Sequence, residues 1–440
     1  MTDEILPFEF LDYDFDENLF RATFRYRGGN AKNPLIFEEK IDFSDRAPNS
    51  TSRASFSPSK KVLLDRALFL SFVICGTSYY KAFPTHDVIF PYHLDETQAD
   101  FFNHVYQEGL SQFAYENSLK RADLAHFKPN ATLGKIDFSS DESHRLSPGT
   151  IALQSGGKDS LLTATLLDES DTPWSALYIS TSDSYPAIID QTGAKRVIII
   201  KRSIDLDNLK TAAINGGKNG HVPVTYINLS FALIQAIIDD QNTILTSIGH
   251  EGEESHSIIK STNDEPDLAV NHQWSKTAKA EKLLQNYVQN YVSPAFKIHS
   301  PLRKYSELKI AELFVEKCWH DFGYKFSSCN VANYNQHADN TELKWCGRCA
   351  KCANSYLLFA PFLNPAELNS LFPDRQSLFE VPELANDFKG LLGIDQHLKP
   401  FECVGEIAEL RQAYHLKKTG YPDLPFSVPT SDFDYHKLYS

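Results

Sequence analysis

Apolar and polar side chains alternate near the N-terminus with the period of two that is typical of strands. Between residues 20 and 27 the apolar positions are Phe20, Ala22, Phe24 and Tyr26, with Arg and Thr between them. The turn-forming run Asp16-Glu17-Asn18 comes directly before this segment. The pattern therefore predicts an antiparallel meander of strands.

Two helical patterns follow, over residues 61–74 and 95–107. The first is almost wholly apolar, which favours a buried helix. In the second, Asp95 and Gln98 have the spacing of a capping box. Together with the meander, these helices predict an α+β N-terminal domain over residues 1–147.

Apolar runs of strand length alternate with helical patterns from about residue 150 onward, as in α/β proteins with a parallel sheet. The predicted strands cover residues 151–153, 176–179, 197–200 and 244–248, and the clearest predicted helix covers residues 225–239. We therefore predict an α/β domain over residues 148–325. Ligands in such domains bind at the carboxyl ends of the strands.

The C-terminal part begins after a helix that Ser306 would cap and that would end near Cys318. A cluster of cysteines and a further apolar stretch at residues 356–362 come next. This composition predicts a metal-binding helical region with an extended tail over residues 326–440.

The charge balance excludes some classes of protein. The 440 residues carry 43 Lys and Arg against 57 Asp and Glu, a net charge of −14, whereas a general nucleic-acid binder needs a basic surface. Apolar runs stay shorter than the roughly 18 residues of a membrane helix. The first residues also lack the basic and apolar parts of a signal peptide. We expect a cytoplasmic protein that binds neither nucleic acid nor membrane.

A glycine-containing loop, Ser155-Gly156-Gly157-Lys158-Asp159-Ser160, lies between a predicted strand and a helical run. Glycines let the backbone approach a phosphate, and the N-terminus of the following helix offers free N–H groups. The serine hydroxyls and Lys158 add further donors. The loop is not the common P-loop, because Lys158 is followed by Asp. The simpler interpretation is a glycine turn with a capping serine.

Four of the seven cysteines are clustered: Cys329, Cys346, Cys349 and Cys352. The last three form two overlapping C-x-x-C steps. Four thiolates suit tetrahedral Zn²⁺ and would complete its coordination, which is typical of a structural site. An iron–sulfur cluster and reduced thiols without a metal remain alternatives.

The loop resembles the pyrophosphate-binding loop of the N-type ATP pyrophosphatase (PP-loop, adenine nucleotide alpha hydrolase-like) superfamily. The resemblance implies that ATP is cleaved between its α and β phosphates and that AMP is transferred to an oxygen of the substrate. It also implies that Asp159 helps to hold Mg²⁺ near the pyrophosphate. With the cysteine cluster, the chain also resembles 7-cyano-7-deazaguanine synthases, which adenylate a carboxylate and carry a similar zinc site.

An ordered set of segments resembles a narrower family, the bacterial UDP-N-acetylmuramoyl-L-alanyl-L-glutamate epimerases (MurL). The segments are residues 76–81 (GTSYYK), 219–225 (NGHVPVT), 271–276 (NHQWSK), 302–303 (LR), 306–308 (SEL), 328–330 (SCN), 345–347 (WCG), 360–362 (APF) and 399–406 (KPFECVGE). This resemblance spans nearly the whole chain, including the N-terminal part that the deazaguanine synthases lack. Residues 247–257 depart from the family pattern, so Glu251, Glu253 and Glu254 cannot be matched to it.

The resemblance implies ATP-dependent conversion of the terminal L-Glu of UDP-MurNAc-L-Ala-L-Glu to D-Glu in peptidoglycan precursor synthesis. Its cofactors would be ATP, Mg²⁺ and a structural Zn²⁺. The chemistry agrees with the loop, because a free carboxylate makes its neighbouring Cα–H a very poor acid. Conversion to an acyl-adenylate removes that charge, after which acid–base groups can exchange the proton.

Three residues are candidates for proton transfer, besides Asp159 at the nucleotide. His272 and Lys276 would share one face of a helix if a helix begins there, and Cys403 has no cysteine nearby in the sequence. A solvated helix N-terminus is the simpler interpretation of the first two. A pair of opposed thiols is disfavoured, because Cys75 and Cys318 lie in apolar helical patterns.

Further polar residues are candidates for substrate contacts. Arg303 could bind a carboxylate or phosphate in two-point fashion, or form a surface ion pair. The others are Tyr80, Lys81, His221, Asn271, Gln273 and Glu402. For Tyr80 and Lys81 the simpler interpretation is interdomain packing, and for His221 an ordinary loop histidine.

Alternative functions remain at this stage. A deazaguanine-synthase-like enzyme would need ammonia, whereas an epimerase product has the mass of its substrate. A tRNA-modifying sulfur transferase is disfavoured by the acidic charge. A noncatalytic nucleotide sensor would bind ATP without releasing pyrophosphate.

Overall fold

The computed structural model describes residues 4–43, 56–130, 145–261, 266–333 and 341–439. The described strands are β1 Phe8–Asp16, β2 Arg21–Asn30, β3 Asn33–Asp42, β4 Val88–Ile89, β5 Ser147–Leu153, β6 Trp174–Ser180, β7 Arg196–Ser203, β8 Gln241–Leu245, β9 Ser257–Ile259, β10 Leu268–Val270 and β11 Lys297–His299.

The described α-helices have many short members and a few long ones. They are α1 Pro58–Cys75, α2 Thr77–Tyr80, α3 Glu96–Gln107, α4 Ser111–Glu116, α5 Lys158–Glu169, α6 Leu206–Ile214, α7 Val224–Ile238, α8 Ala278–Tyr291, α9 Glu307–Lys317, α10 Trp319–Phe322, α11 Asn330–Asn333, α12 Ala350–Phe359, α13 Pro365–Asn369, α14 Ala385–Leu391 and α15 Ile407–His415.

One nine-stranded sheet organises the described part of the chain, in the order β11-β8-β5-β6-β7-β3-β2-β1-β4. The pairs among β11, β8, β5, β6 and β7 are parallel, as the alternating pattern predicts. The pairs β1–β2 and β2–β3 are antiparallel, so the predicted meander is confirmed. Strands β9 and β10 form a separate antiparallel pair.

The meander continues the parallel sheet through antiparallel pairing of β3 with β7, which places Ile41 opposite Arg202. The buried Arg202 side chain extends across this junction. Its Nε donates to Glu39 at 2.5 Å and its Nη2 donates to Ser78 Oγ at 2.8 Å. A buried charge is stable only when paired in this way, so these contacts help to hold the two parts of the sheet together.

The hydrophobic core also runs across the boundary that the sequence predicts at residue 147. Helix α1 packs on α7, where the hydroxyls of Ser71 and Ser230 lie 2.6 Å apart in a fully buried position. The same buried cluster contains apolar side chains of the meander, of α1 and of the parallel strands. Residue 147 itself is the first residue of β5. The described parts of residues 4–130 therefore share a sheet and a core with the α/β part.

A second buried cluster lies between α5, α9 and the C-terminal helices α12, α14 and α15. Ser306 caps α9 as predicted, since its Oγ accepts from the Lys309 N–H. The capping box of Asp95 and Gln98 is also present. The strand predicted to end at residue 248 ends at Leu245, and the polar edge of the sheet begins there.

Among the described residues, one helical stretch, Pro58–Tyr80, has the length and apolar character of a membrane span. About four-fifths of its apolar window is buried inside the protein, where α1 packs against α7 and β1.

Candidate active site and metal centre

The loop after β5 turns sharply into α5, which places its backbone at the carboxyl edge of the parallel sheet. Gly156 has a φ of +75°, and a Cβ there would lie 2.5 Å from Leu343 and 2.8 Å from Ile188. Only glycine suits this position. Gly157 is the N-cap of α5, so the first N–H groups of this 12-residue helix face the loop. Ser160 Oγ donates to the Gly157 carbonyl at 3.1 Å.

Lys158 lies between two carboxylates and is buried. Its Nζ is 2.5 Å from Asp159 Oδ1 and 2.6 Å from Glu307 Oε2, at the start of α9. The structure pairs Lys158 with carboxylates, and its predicted role at a phosphate stays a prediction. Glu307 is buried, and burial raises the pKa of its carboxyl to about 8 although Lys158 opposes this shift.

Four buried polar atoms at this edge have no partner among the described residues. They are Gln154 Oε1, after β5, Thr246 Oγ1 and Ser247 Oγ, after the neighbouring β8, and Glu307 Oε1. Strands β5 and β8 are paired side by side up to Ala152 and Leu245, so the residues that follow are neighbours too. Buried polar atoms normally have partners, and this set therefore marks an edge that suits a polar ligand.

Lys276 links this edge to the other half of the site. Its Nζ lies 3.2 Å from Glu251 Oε1, and both side chains are largely buried. Burial alone would lower the pKa of Lys276. The nearby Cys403, Glu251, Glu307 and Asp159 instead raise its pKa well above the ordinary value, so the amine stays protonated.

The segment that carries His272 and Lys276 is a turn and not the beginning of an α-helix. Residues Trp274–Lys276 form one 3₁₀ turn, and α8 begins only at Ala278 with Thr277 as its N-cap. The predicted shared helical face is therefore wrong. The segment is instead fixed by side chains: Asn271 accepts from the Gln273 N–H, and Gln273 donates to the Val404 carbonyl.

His272 and Cys403 come together although 130 residues separate them in the sequence. Cys403 Sγ lies 3.8 Å from His272 Nε2, and His272 Nδ1 lies 2.6 Å from Gln112 Oε1. The His221 ring packs on the His272 ring with a centroid distance of 4.3 Å. Burial lowers the pKa of His272 to about 4 and that of His221 to about 3, so both rings are neutral at pH 7.

The four clustered cysteines form a candidate metal centre. All four sulfur atoms lie within 4.8 Å of one another. The Cys329–Cys349 and Cys346–Cys352 pairs are each 3.7 Å apart, and Cys349–Cys352 is 3.5 Å. Four sulfurs at about 2.3 Å from one tetrahedral Zn²⁺ would be about 3.8 Å apart. The donor set and its spacing therefore fit a single metal ion such as zinc.

The segments of the metal centre also contact both halves of the site. Asn330, next to Cys329, donates to Glu402 Oε2 at 2.8 Å, and Lys351 Nζ donates to the Cys403 carbonyl at 2.8 Å. On the other side, Ser328 and Leu343 lie against Gly157 and Gly156 of the loop. The cysteine cluster thus supports the segments that carry the loop and the thiol.

Two residues that were predicted to contact substrate, Tyr80 and Arg303, make contacts within the protein. Tyr80 is fully buried in an aromatic cluster, and its hydroxyl donates to the Thr85 carbonyl. It is a core residue and does not face the site. Arg303 donates to the carbonyls of Gly249 and Lys276 and pairs with Glu281 at 2.6 Å. It braces the segment of Lys276 instead of offering a free guanidinium.

Lys81 lies at the margin of the site. Its Nζ donates to the carbonyl of Gly220, the residue before His221, and burial lowers the pKa of Lys81 to about 8. Sequence reasoning missed Gln112 and Glu307 as site residues. Glu307 follows the predicted cap Ser306, so an acidic first helical residue was a visible signal. Gln112 carries no such signal, because its contact depends on tertiary structure.

Comparison with known proteins identifies the family of the chain. The family model described as the MurL N-terminal domain matches residues 1–300, and the one described as the MurL C-terminal domain matches residues 325–421. Both matches include residues of the site, among them Lys158 and Cys403.

Three relatives named UDP-N-acetyl-alpha-D-muramoyl-L-alanyl-L-glutamate epimerase match most of the chain. The one from Xanthomonas oryzae pv. oryzae is 32% identical over 80% of this chain and 74% of its own length. That from Salinispora tropica is 29% identical over 95% of this chain and 86% of its own length. That from a Micromonospora species is 30% identical over 79% of this chain and 73% of its own length. The chain belongs to the MurL epimerase family.

Proposed function

We propose that the protein converts the terminal L-Glu of UDP-MurNAc-L-Ala-L-Glu to D-Glu, using ATP and releasing AMP and pyrophosphate. The observation that carries this proposal is the convergence around Lys276. This ammonium group pairs with Glu251, and the nearby charges of Asp159 in the glycine loop and of Cys403, which contacts His272, both raise its pKa. An ATP-binding loop and a set of proton-transfer groups would thus share one site.

The glycine loop suits the first half of the reaction. The N-terminus of α5 and the loop hydroxyls would bind the pyrophosphate part of ATP. Asp159 in the loop and Glu307 at the start of α9 both contact Lys158. When phosphates bind, Lys158 would turn toward them, and Mg²⁺ would displace the proton of Glu307 and bind to both carboxylates. The α-carboxylate of the substrate would then take up AMP.

The second half needs a base and an acid at Cα. In the proposed assignment His272 accepts the Cys403 proton, and the resulting thiolate removes the Cα proton of the activated L-Glu. Lys276, which remains protonated, returns a proton to the opposite face. Water then releases AMP. The proton held by His272 then restores the ammonium group of Lys276, so each group regains its starting protonation state.

The cysteine cluster would hold a structural Zn²⁺ with all four positions filled by protein. Such an ion supplies no open coordination site. Its proposed contribution is to fix the segments of residues 328–330 and 346–352, which contact the glycine loop and residues 402–403.

The test is turnover in deuterated water with ATP, Mg²⁺ and the L-Glu nucleotide. We expect deuterium at Cα, one AMP for each turnover and a product otherwise of unchanged mass. Asp159→Asn should abolish AMP formation, whereas Asp207→Asn, which changes an exposed aspartate in the first turn of α6, should not. ADP as the product, or full epimerisation without ATP, would refute the proposal. A requirement for ammonia would instead point to a deazaguanine-synthase-like reaction.

A further inference from the structure

A chain of contacts leads away from the thiol–imidazole pair to the short helix α4. Gln112 Oε1 lies 2.6 Å from His272 Nδ1, and Gln112 Nε2 donates to Glu116 Oε1 at 2.9 Å. Glutamine and glutamate lie four residues apart, so they share one face of the helix. Neither residue is in any segment that carries the family resemblance.

The orientation of the Gln112 amide follows from its two partners, Glu116 and His272. Glu116 is exposed and accepts a hydrogen bond, so the Gln112 amide must direct its NH₂ toward Glu116 and its oxygen toward His272. Reversing the amide would place two acceptors against each other. An oxygen facing Nδ1 requires a proton on Nδ1, which leaves Nε2 as the acceptor that faces Cys403 Sγ.

Helix α4 and its C-cap also contact the backbone of the segments that carry His272 and His221. Ser111 Oγ accepts from the Asn271 N–H at 3.1 Å, so two consecutive residues of α4 contact two consecutive residues of the turn. At the other end, Asn117 donates to the Asn219 carbonyl, and Phe113 lies against Gly220, next to His221.

We propose that Gln112 and Glu116 are positioning residues that fix the neutral tautomer of His272, so that its Nε2 accepts the proton of Cys403. This role rests on the proposed function, in which that pair exchanges the Cα proton. It adds that the base is prepared before substrate binds, because the contacts exist within the protein itself. An incorrect tautomer would direct an N–H at the thiol and leave it no proton acceptor.

The test uses Gln112→Met, which keeps the shape of the side chain but removes the amide, and the double variant Gln112→Glu with Glu116→Gln. In the double variant the new carboxylate can accept from both His272 and the new amide. Gln107→Met is the matched control, because Gln107 contacts Ala125 and Arg121 instead. Two readouts need neither ATP nor substrate: ¹⁵N shifts of the His272 ring, and the rate at which iodoacetamide alkylates Cys403.

We expect Gln112→Met to lose the single tautomer of His272, to slow alkylation of Cys403 and to lower kcat about 10-fold. The double variant should regain most of the single tautomer, of the alkylation rate and of kcat, and Gln107→Met should behave as wild type. An unchanged tautomer and alkylation rate in Gln112→Met would overturn the proposal, even if turnover fell. A double variant as impaired as Gln112→Met would also count against it. Because these readouts use the free protein, absence of epimerase activity would refute the proposed function alone.

Discussion

Carboxyl groups outnumber ammonium groups in the part of the site around Lys158. Three carboxyl groups, on Asp159, Glu251 and Glu307, share two ammonium groups, on Lys158 and Lys276. Asp159 pairs with Lys158 and Glu251 pairs with Lys276. Glu307 therefore has no ammonium group of its own and shares Lys158 with Asp159. Burial is the main cause that raises the pKa of Glu307 to about 8, and the neighbouring carboxylates Asp159 and Glu251 add to this rise although Lys158 opposes it.

A dependence of stability on pH follows at this residue. The folded protein keeps Glu307 protonated up to about pH 8, whereas the unfolded chain loses that proton near 4.5. The carboxyl therefore lowers the free energy of unfolding as pH rises through this window. Glu307→Gln carries no such proton, so its Tm relative to wild type should increase by about 2 °C or more between pH 5.5 and pH 8.5.

Thermal unfolding of the two proteins at both pH values measures this difference. Glu383→Gln changes an exposed glutamate and serves as the control. Its Tm relative to wild type should not depend on pH. If Glu307→Gln behaves like that control, the carboxylate is ionised in the folded protein and the charge count above is wrong.

The proton-transfer pair gives a second prediction at the residue scale. Cys403→Ser should lower exchange of the Cα proton about 100-fold or more, because a hydroxyl is a far weaker acid than a thiol. Cys318→Ser is the matched control, since Cys318 is buried in the second core and contacts Thr165. Deuterium incorporation measured by mass spectrometry separates the two. Equal exchange in Cys403→Ser and wild type would remove Cys403 from the proposed mechanism.

Local patterns reveal a residue's chemistry, but not its neighbours. The glycine loop and the cysteine cluster could be found in the sequence, because their chemistry needs fixed residue types at fixed spacing. The structure brings His272, Lys276 and Cys403 together, and their catalytic roles stay predictions. Tyr80 was predicted to contact substrate because tyrosine has both an apolar ring and a polar hydroxyl. The sequence alone does not show whether such a side chain is buried in the core or faces a ligand. Its burial depends on the aromatic residues of the meander.

At the scale of elements, the cysteine cluster acts through the residues between its ligands. Arg348 and Lys351 occupy equivalent places in the two C-x-x-C steps. Arg348 is exposed and pairs with Asp374, but Lys351 is directed inward to the Cys403 carbonyl. Lys351 therefore contacts the segment of Cys403, whereas Arg348 does not.

This difference yields a matched pair of variants. Lys351→Met should keep the bound metal but release the Cys403 carbonyl, and we expect kcat to fall about 10-fold. Arg348→Met should leave both metal content and kcat unchanged. Metal analysis of each purified variant, beside steady-state turnover, makes the comparison. Loss of metal from Lys351→Met would show that Lys351 acts on the cluster itself and not on Cys403.

Element boundaries could be predicted where a cap fixes them. Asp95 and Ser306 are examples, because a capping side chain acts on the N–H groups of its own first turn. The helix expected at His272 begins six residues later, at Ala278. The true cap is Thr277, whose Oγ accepts from the Ala280 N–H. The turn before it is held by Gln273, Arg303 and Gln112, which are contacts between distant segments that no local pattern encodes.

At the scale of the whole molecule, the sheet unites segments that the sequence suggests are separate domains. Alternation with a period of two predicts strands, but it does not say which strand pairs with which. The change of pattern near residue 150 marks a change from antiparallel to parallel strands within one sheet. Helix α1 is buried because α7 covers it, so its apolar composition reflects its central place in the core.

A shared sheet and core predict that the described parts of residues 4–130 and of the α/β region unfold together. The buried Glu39–Arg202 pair at the β3–β7 junction offers the test. Arg202→Met leaves Glu39 buried without its partner, which should cost about 3–5 kcal/mol, whereas Arg202→Met combined with Glu39→Leu should recover most of that loss. Denaturant unfolding followed by tryptophan fluorescence and by circular dichroism should give one coincident transition for each protein. Fluorescence mainly reports the α/β and C-terminal regions, since the four tryptophans lie at positions 174, 274, 319 and 345.

If Arg202→Met instead split the circular dichroism transition and left the fluorescence transition in place, the meander would be an independent unit.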